Sequence, residues 1–170
     1  MKRKYLILFS LSGLVLALDQ WSKLWISSRY ELGFRKPLLG NWLVLVHSQN
    51  SDFAFGFFEH APRPLQELFF IGVPVFALML IVLIFIKLQD DQMATSVALS
   101  TILAGAIGNL IDRVQFGYVV DLLEVRAGAK VFLPLFNLAD LSILTGVFLM
   151  FINTVMQGRK KNVLEQGVQE

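Results

Sequence analysis

The most specific chemistry in this sequence lies in two carboxylates. Asp121 closes the apolar run Tyr118, Val119, Val120, and Asp140 sits in Phe136, Asn137, Leu138, Ala139, Asp140, Leu141. They are 19 positions apart in sequence. Between them, two β-prone runs, Leu122 to Arg126 and Lys130 to Leu133, flank the turn-like Ala127, Gly128, Ala129. A hairpin there sends the chain out and back and returns the two aspartates to nearly the same point. Two close carboxyl groups do not both ionise easily, so they share a proton. The ionised member takes a proton from water while the protonated member polarises a carbonyl, and the titration belongs to the pair. This is peptide hydrolysis without a covalent intermediate or a metal. Taken singly, each residue also has a plainer reading. Asp140, three residues after Asn137, completes a capping box at a helix start, and Asp121 is a loop carboxylate paired with Arg113 or Arg126.

Other polar residues fall where a membrane makes them costly. Asp19 and Lys23 are four apart and share a helix face, as an ion pair snorkelling at a helix end would. Asn109, Asp112 and Arg113 crowd the end of another apolar segment, where a terminating helix could carry a local salt bridge. Rival chemistries find less support. His47 and His60 lack HExxH spacing and there is no cysteine, so neither a zinc site nor a thiol nucleophile is expected. Ser22 adjoins Lys23, but neighbouring helix positions point about 100° apart, so Lys23 cannot activate it. No GxSxG, Walker or dinucleotide motif appears, and no cofactor is expected.

The elements that must position these groups are membrane helices. Of 170 residues, 55% are hydrophobic and 16% charged, with a mean hydropathy of +0.62, and the apolar residues gather into long uncharged runs that exclude a water-soluble globule. A net charge of +2 gives no argument for nucleic acid. Four spans are expected, at about 5–25, 68–88, 93–113 and 138–157. The second contains Pro74, and the third sets Ser96, Ser100, Ala104, Gly108 and Asp112 four apart on one face, so that another helix can approach. Basic residues flank both ends of the chain, Lys2 to Lys4 and Arg159 to Lys161, which places both termini in the cytoplasm. Outer segments at about 27–67 and 114–137 then make the outer face the working one, with a cytoplasmic tail at 158–170. In the first segment Trp42 to Val46 and Phe53 to Phe58, around a polar break at His47 to Asp52, read as a hairpin on the membrane surface. The expected fold is a four-helix membrane bundle with a small extracytoplasmic β element, all in one domain.

These motifs resemble the bacterial lipoprotein signal peptidase family, signal peptidase II, over roughly Leu18 to Thr145. The family's D-x-x-[ST]-K appears as Asp19, Gln20, Trp21, Ser22, Lys23, and its G-x-x-x-N-x-x-D-R as Gly105 through Asn109 to Asp112 and Arg113. Its V-V-D is Val119, Val120, Asp121, and its F-N-[IL]-A-D is Phe136 to Asp140. The N-x-G-x-[AS]-F motif departs: Asn50, Ser51, Asp52, Phe53, Ala54, Phe55 has Asp52 in place of glycine. Leu122 also stands where Phe is frequent. The resemblance implies an aspartyl endopeptidase of the inner membrane that removes prolipoprotein signal peptides ahead of a diacylglyceryl-modified cysteine, working as a monomer among membrane lipids. It implies Asp121 and Asp140 as the water-activating dyad and Asn109, Arg113 and Asn137 as contacting substrate or positioning the dyad. Asp19, Lys23, Asn50 and Asp112 are implied as supporting residues. Two other classes fit the composition. A proton-coupled transporter would need polar groups through the whole membrane, and an assembly factor would use the small-residue stripe without any chemistry.

Overall fold

The computed structural model describes residues 2–40, 42–51, 61–128 and 130–167, with side chains described as far as 158. Among the described residues, four helical segments are long and apolar enough to span a membrane. They are α1 (Arg3–Arg29), a composite of α2 (Arg63–Glu67), a π turn (Leu68–Gly72) and α3 (Val73–Lys87), then α4 (Met93–Phe116) and α5 (Leu138–Gly167). Each expected span falls on one of these segments; α1 is longer at both ends, the second begins earlier and stops at Lys87, and α4 and α5 run on at their C-terminal ends. The tail expected after residue 157 continues α5 to Gly167, in keeping with the helix-forming Arg, Lys, Leu, Glu and Gln in that stretch.

Pro74 explains the π turn. It has no N–H to give the preceding turn, and the ladder has already loosened one turn earlier, where Val73 N–H bonds Leu68 O five residues back. The turn carries Phe70, which lines the site described below.

The bundle is organised around α4, whose Ser96, Ser100, Ala104 and Gly108 are buried, while Phe76, Phe148 and Phe151 on α3 and α5 point outward as lipid-facing residues do. Lipid gives no hydrophobic drive between helices, so close backbone approach has to supply the contact. A Cβ on Gly108 would stand 2.6 Å from Asp19 Oδ2, and one on Gly105 would collide with the Ala139 carbonyl and the Ser142 hydroxyl. These glycines therefore set how near α1 and α5 come. Gly105→Ala is expected to destabilise the protein by about 1–3 kcal/mol, since the α4–α5 backbones must part. Gly13→Ala, with nothing within 4 Å of the added carbon, is expected to leave thermal unfolding in detergent unchanged. Equal melting of the two variants would refute the close-approach account.

Beyond one end of the bundle lies an antiparallel sheet in the order β1 (Arg35–Leu39), β2 (Leu43–Asn50), β3 (Val119–Ala127), β4 (Lys130–Phe136). The hairpin expected between the two aspartates is β3–β4, with Ala127 opposite Lys130 and Gly128 at φ 63° in the turn. The other expected hairpin differs. The segment His47 to Asn50, taken as a break, belongs to β2, which pairs with β1 and β3; Asp52 and Phe53 to Phe58 lie outside the described residues. The β3 pairing, Ser48 opposite Asp121 and Asn50 opposite Val119, offers the polar segment a ladder that local pattern could not reveal. Ile26, Leu45, Val120 and Leu122 fix the sheet to the end of α1. His47 is buried there with Nδ1 2.7 Å from Tyr30 O, in keeping with a structural histidine.

Candidate active site

The sheet and bundle meet at a polar cluster, whose members are delivered by α1, α4, α5, β2 and β3. Asn137 ends β4 and caps α5. Its Oδ1 accepts from Asp140 N–H at 2.9 Å, and its own N–H donates to Asp140 Oδ2 at 3.1 Å. The capping box read from the sequence therefore exists, and it also holds one of the two aspartates. The other is fixed by the same residue: Asn137 Nδ2 donates to Asp121 Oδ1 at 3.0 Å. Asn50 Nδ2 donates to Asp121 Oδ2 at 3.1 Å, and Asn109 Nδ2 to Asp140 Oδ1 at 2.7 Å. Three asparagine amides thus turn donors toward two carboxylates, and Asp121 and Asp140 line one cavity of about 80 Å³ with Asn50, Phe70, Asn109 and Arg113.

Asp121 is buried, not the loop carboxylate of the plainer reading, and Arg126 approaches Glu124 instead. Burial pushes the Asp121 carboxyl up to about 6; the charge of Asp140 acts in the same direction, while the hydrogen bonds from Asn50 and Asn137 oppose it. Arg113 lies with its guanidinium 5.0 Å over the Phe70 ring, a cation held over an aromatic face at the cavity wall.

Behind the cavity, Lys23 does not snorkel. The side chain is only 3% exposed, and its Nζ lies 2.8 Å from Asp19 Oδ2, 3.0 Å from Asp112 Oδ2 and 3.0 Å from Asn109 Oδ1. Three ammonium donors thus meet three acceptors. Asp19 Oδ1 accepts from Ala139 N–H at 2.8 Å, and Asp112 Oδ2 from Val120 N–H at 3.1 Å. The cluster therefore ties α1 and α4 to the two segments that carry Asp121 and Asp140. Asp112 pairs across helices with Lys23, not with Arg113, and α4 continues past both to Phe116.

All nine candidate residues converge on this region. Sequence reasoning missed Gln20, whose Nε2 reaches Asp112 Oδ1 at 3.0 Å and Gly108 O at 3.2 Å. A glutamine inside an apolar span was the available signal. It also missed Phe70, which nothing distinguishes from the other aromatics of its span.

Comparison with known proteins identifies the family. A family model for signal peptidase (SPase) II matches residues 11–156. The chain belongs to the signal peptidase II family. This is a family of aspartic-type membrane peptidases. A lipoprotein signal peptidase of Syntrophus aciditrophicus is 36% identical over 161 residues, 94% of this chain and 99% of its own length. One of Enterococcus faecalis is 36% identical over 156 residues, 92% of each chain. Among solved structures, a bacterial membrane enzyme at 29% identity aligns with a TM-score of 0.78 over 93% of this chain and 90% of its own. Family membership accounts for the four helices and the sheet.

Proposed function

We propose that this peptidase hydrolyses the signal peptide of diacylglyceryl-modified prolipoproteins on the N-terminal side of the lipidated cysteine, with Asp121 and Asp140 as the dyad that activates water. The observation that carries the reading is the double engagement of Asn137, which holds Asp121 through its amide and Asp140 through its backbone. Two carboxylates fixed on one cavity are the arrangement that general acid and general base need. Asp121, whose proton burial retains up to about pH 6, serves as the acid on the scissile carbonyl, and Asp140 takes the proton from the attacking water. As the tetrahedral intermediate collapses, the same groups return a proton to the leaving amine. Arg113 Nε has no hydrogen-bond partner among the described residues, and the guanidinium is available to a substrate carbonyl.

Both termini are assigned to the cytoplasmic side and the dyad to the outer face, on the strength of the basic flanks and the even number of spans. The protein acts as a monomer in this account, since a single chain supplies both carboxylates.

The test is cleavage of a synthetic diacylglyceryl prolipoprotein peptide by purified protein in detergent, with the products weighed by mass spectrometry. A single cut just before the modified cysteine is expected, insensitive to chelators and abolished in Asp140→Asn. A cut elsewhere, or an active Asp140→Asn, would sink the assignment.

A further inference from the structure

In the composite span Arg63–Lys87 only Phe70 and Phe85 are buried. Phe85 packs with Leu88 and Leu99 beside the turn into α4, at the end of the bundle away from the sheet. Val75, Phe76, Met79, Leu80 and Leu83 between them are exposed, as lipid-facing residues are. Phe70, 8% exposed, is thus the one side chain that the sheet end of this span buries, and it stands on the π turn. A π turn holds more residues than an α turn, so it rotates what precedes it relative to α3, and such turns recur at functional sites. Here the rotated ring lines the cavity of Asp121 and Asp140 and lies under the Arg113 guanidinium, 5.0 Å from Cζ. The carboxylates nearby are engaged elsewhere. Asp112 faces Lys23 and Gln20, Asp121 takes the amides of Asn50 and Asn137, and Asp140 takes the Asn109 amide and the Asn137 N–H. Among the described residues none of them forms an ion pair with Arg113.

We infer that Phe70 is a positioning residue for the peptidase reaction: its ring, turned inward by the π turn, holds the Arg113 guanidinium at the wall of the Asp121 and Asp140 cavity and leaves its N–H donors to the substrate carbonyl. The inference rests on the lipoprotein peptidase reading and adds to it the group that places the cation. An arginine stem is long, and ordering it costs conformational entropy that some contact has to offset. A carboxylate would do so by taking the N–H donors and neutralising the charge. An aromatic face attracts the cation through its quadrupole and accepts none of the donors in the way a carboxylate does, which agrees with Arg113 Nε having no hydrogen-bond partner among the described residues. The charge so kept acts most strongly on an oxygen that is becoming negative. A misplaced guanidinium therefore costs the chemical step more than it costs binding.

The experiment replaces Phe70 with phenylalanines carrying one, two and three ring fluorines, which drain charge from the ring face and keep its shape nearly constant. On a synthetic diacylglyceryl prolipoprotein peptide, kcat is expected to fall stepwise with each fluorine, by about tenfold over the series, with KM and Tm unchanged. Phe70→Leu, apolar but without a π face, is expected to match the most fluorinated protein, and Phe70→Tyr, which keeps the face, to stay within about twofold of wild type. A ring that merely fills space predicts otherwise. In that case kcat is indifferent to fluorine, or Phe70→Leu melts lower with kcat intact; either result, with wild type active, would overturn the role of Phe70 and leave the peptidase reading standing. A wild type inert on the peptide would overturn the peptidase reading and this role with it.

Discussion

Asp121→Asn is expected to lower cleavage by roughly a thousandfold or more while making the protein harder to unfold above pH 6. The first effect follows from the loss of a proton-transferring group at the reacting carbonyl. The second follows from the cost of keeping that group. Burial raises the Asp121 carboxyl from an ordinary value near 3.8 to about 6, so the folded state holds its proton more tightly than the unfolded state does. The stabilisation that comes with the neutral form is complete below about pH 4 and is lost as pH rises through 6. At pH 8 both states are ionised and the fold bears a penalty of about 3 kcal/mol. An asparagine is neutral at every pH and escapes it. Thermal unfolding of wild type in detergent should therefore fall between pH 5 and 8, and Asp121→Asn should melt about 8 °C above wild type at pH 8 while matching it near pH 4. A variant that is inactive and no more stable than wild type at pH 8 would mean that Asp121 is solvated, against the burial seen here.

Both aspartates were legible in the sequence because the turn at Gly128 between two β-prone runs is a local signal, and local signals survive without tertiary context. The spans were legible for the same reason: length and apolarity are enough to identify them. The partners of Trp42 to Val46 were not. Strand pairing over the polar residues His47 to Asn50 comes from β3, some seventy positions on, and no period in the segment itself announces it. The fate of Lys23 was hidden similarly. Position four after Asp19 fits a surface pair as well as a buried one, and only the meeting of α1 with α4 supplies Asp112 and Asn109 as further acceptors. Pro74 signalled a disturbed ladder, but not that the π turn upstream would bring Phe70 to the cavity wall. The asparagines were visible as motif members; that all three would aim donors at Asp121 and Asp140 is a property of the assembled fold.

Lys23→Met is expected to be the most destabilising single substitution of the polar cluster. It removes the ammonium and leaves Asp19 and Asp112, both 1% exposed or less, as buried carboxylates without a counter-charge. Breaking a buried ion pair from one side costs about 3–5 kcal/mol, which for a chain of this size corresponds to a drop of about 10 °C in Tm. The cost lies in the uncompensated charge, so Lys23→Met combined with Asp19→Asn and Asp112→Asn should recover most of the loss. Oδ1 of each introduced asparagine can still accept the backbone N–H of Ala139 or Val120. Recovery of stability need not restore activity. Lys23 Nζ is a donor with no acceptor capacity, and by facing Asn109 Oδ1 at 3.0 Å it forces that amide to present Nδ2 to Asp140 at 2.7 Å. Without the ammonium only the longer bond from Asn137 Nδ2 at 3.2 Å still fixes Asn109 Oδ1, and the amide turns over more readily to offer an oxygen to a carboxylate that needs a donor. The triple variant should therefore fold, bind lipopeptide with an unchanged KM and show a kcat reduced by roughly tenfold or more. A triple variant with wild-type kcat would confine Lys23 to holding α1 against α4, and a single Lys23→Met that melts with wild type would show that the two carboxylates do not carry their charge in the fold.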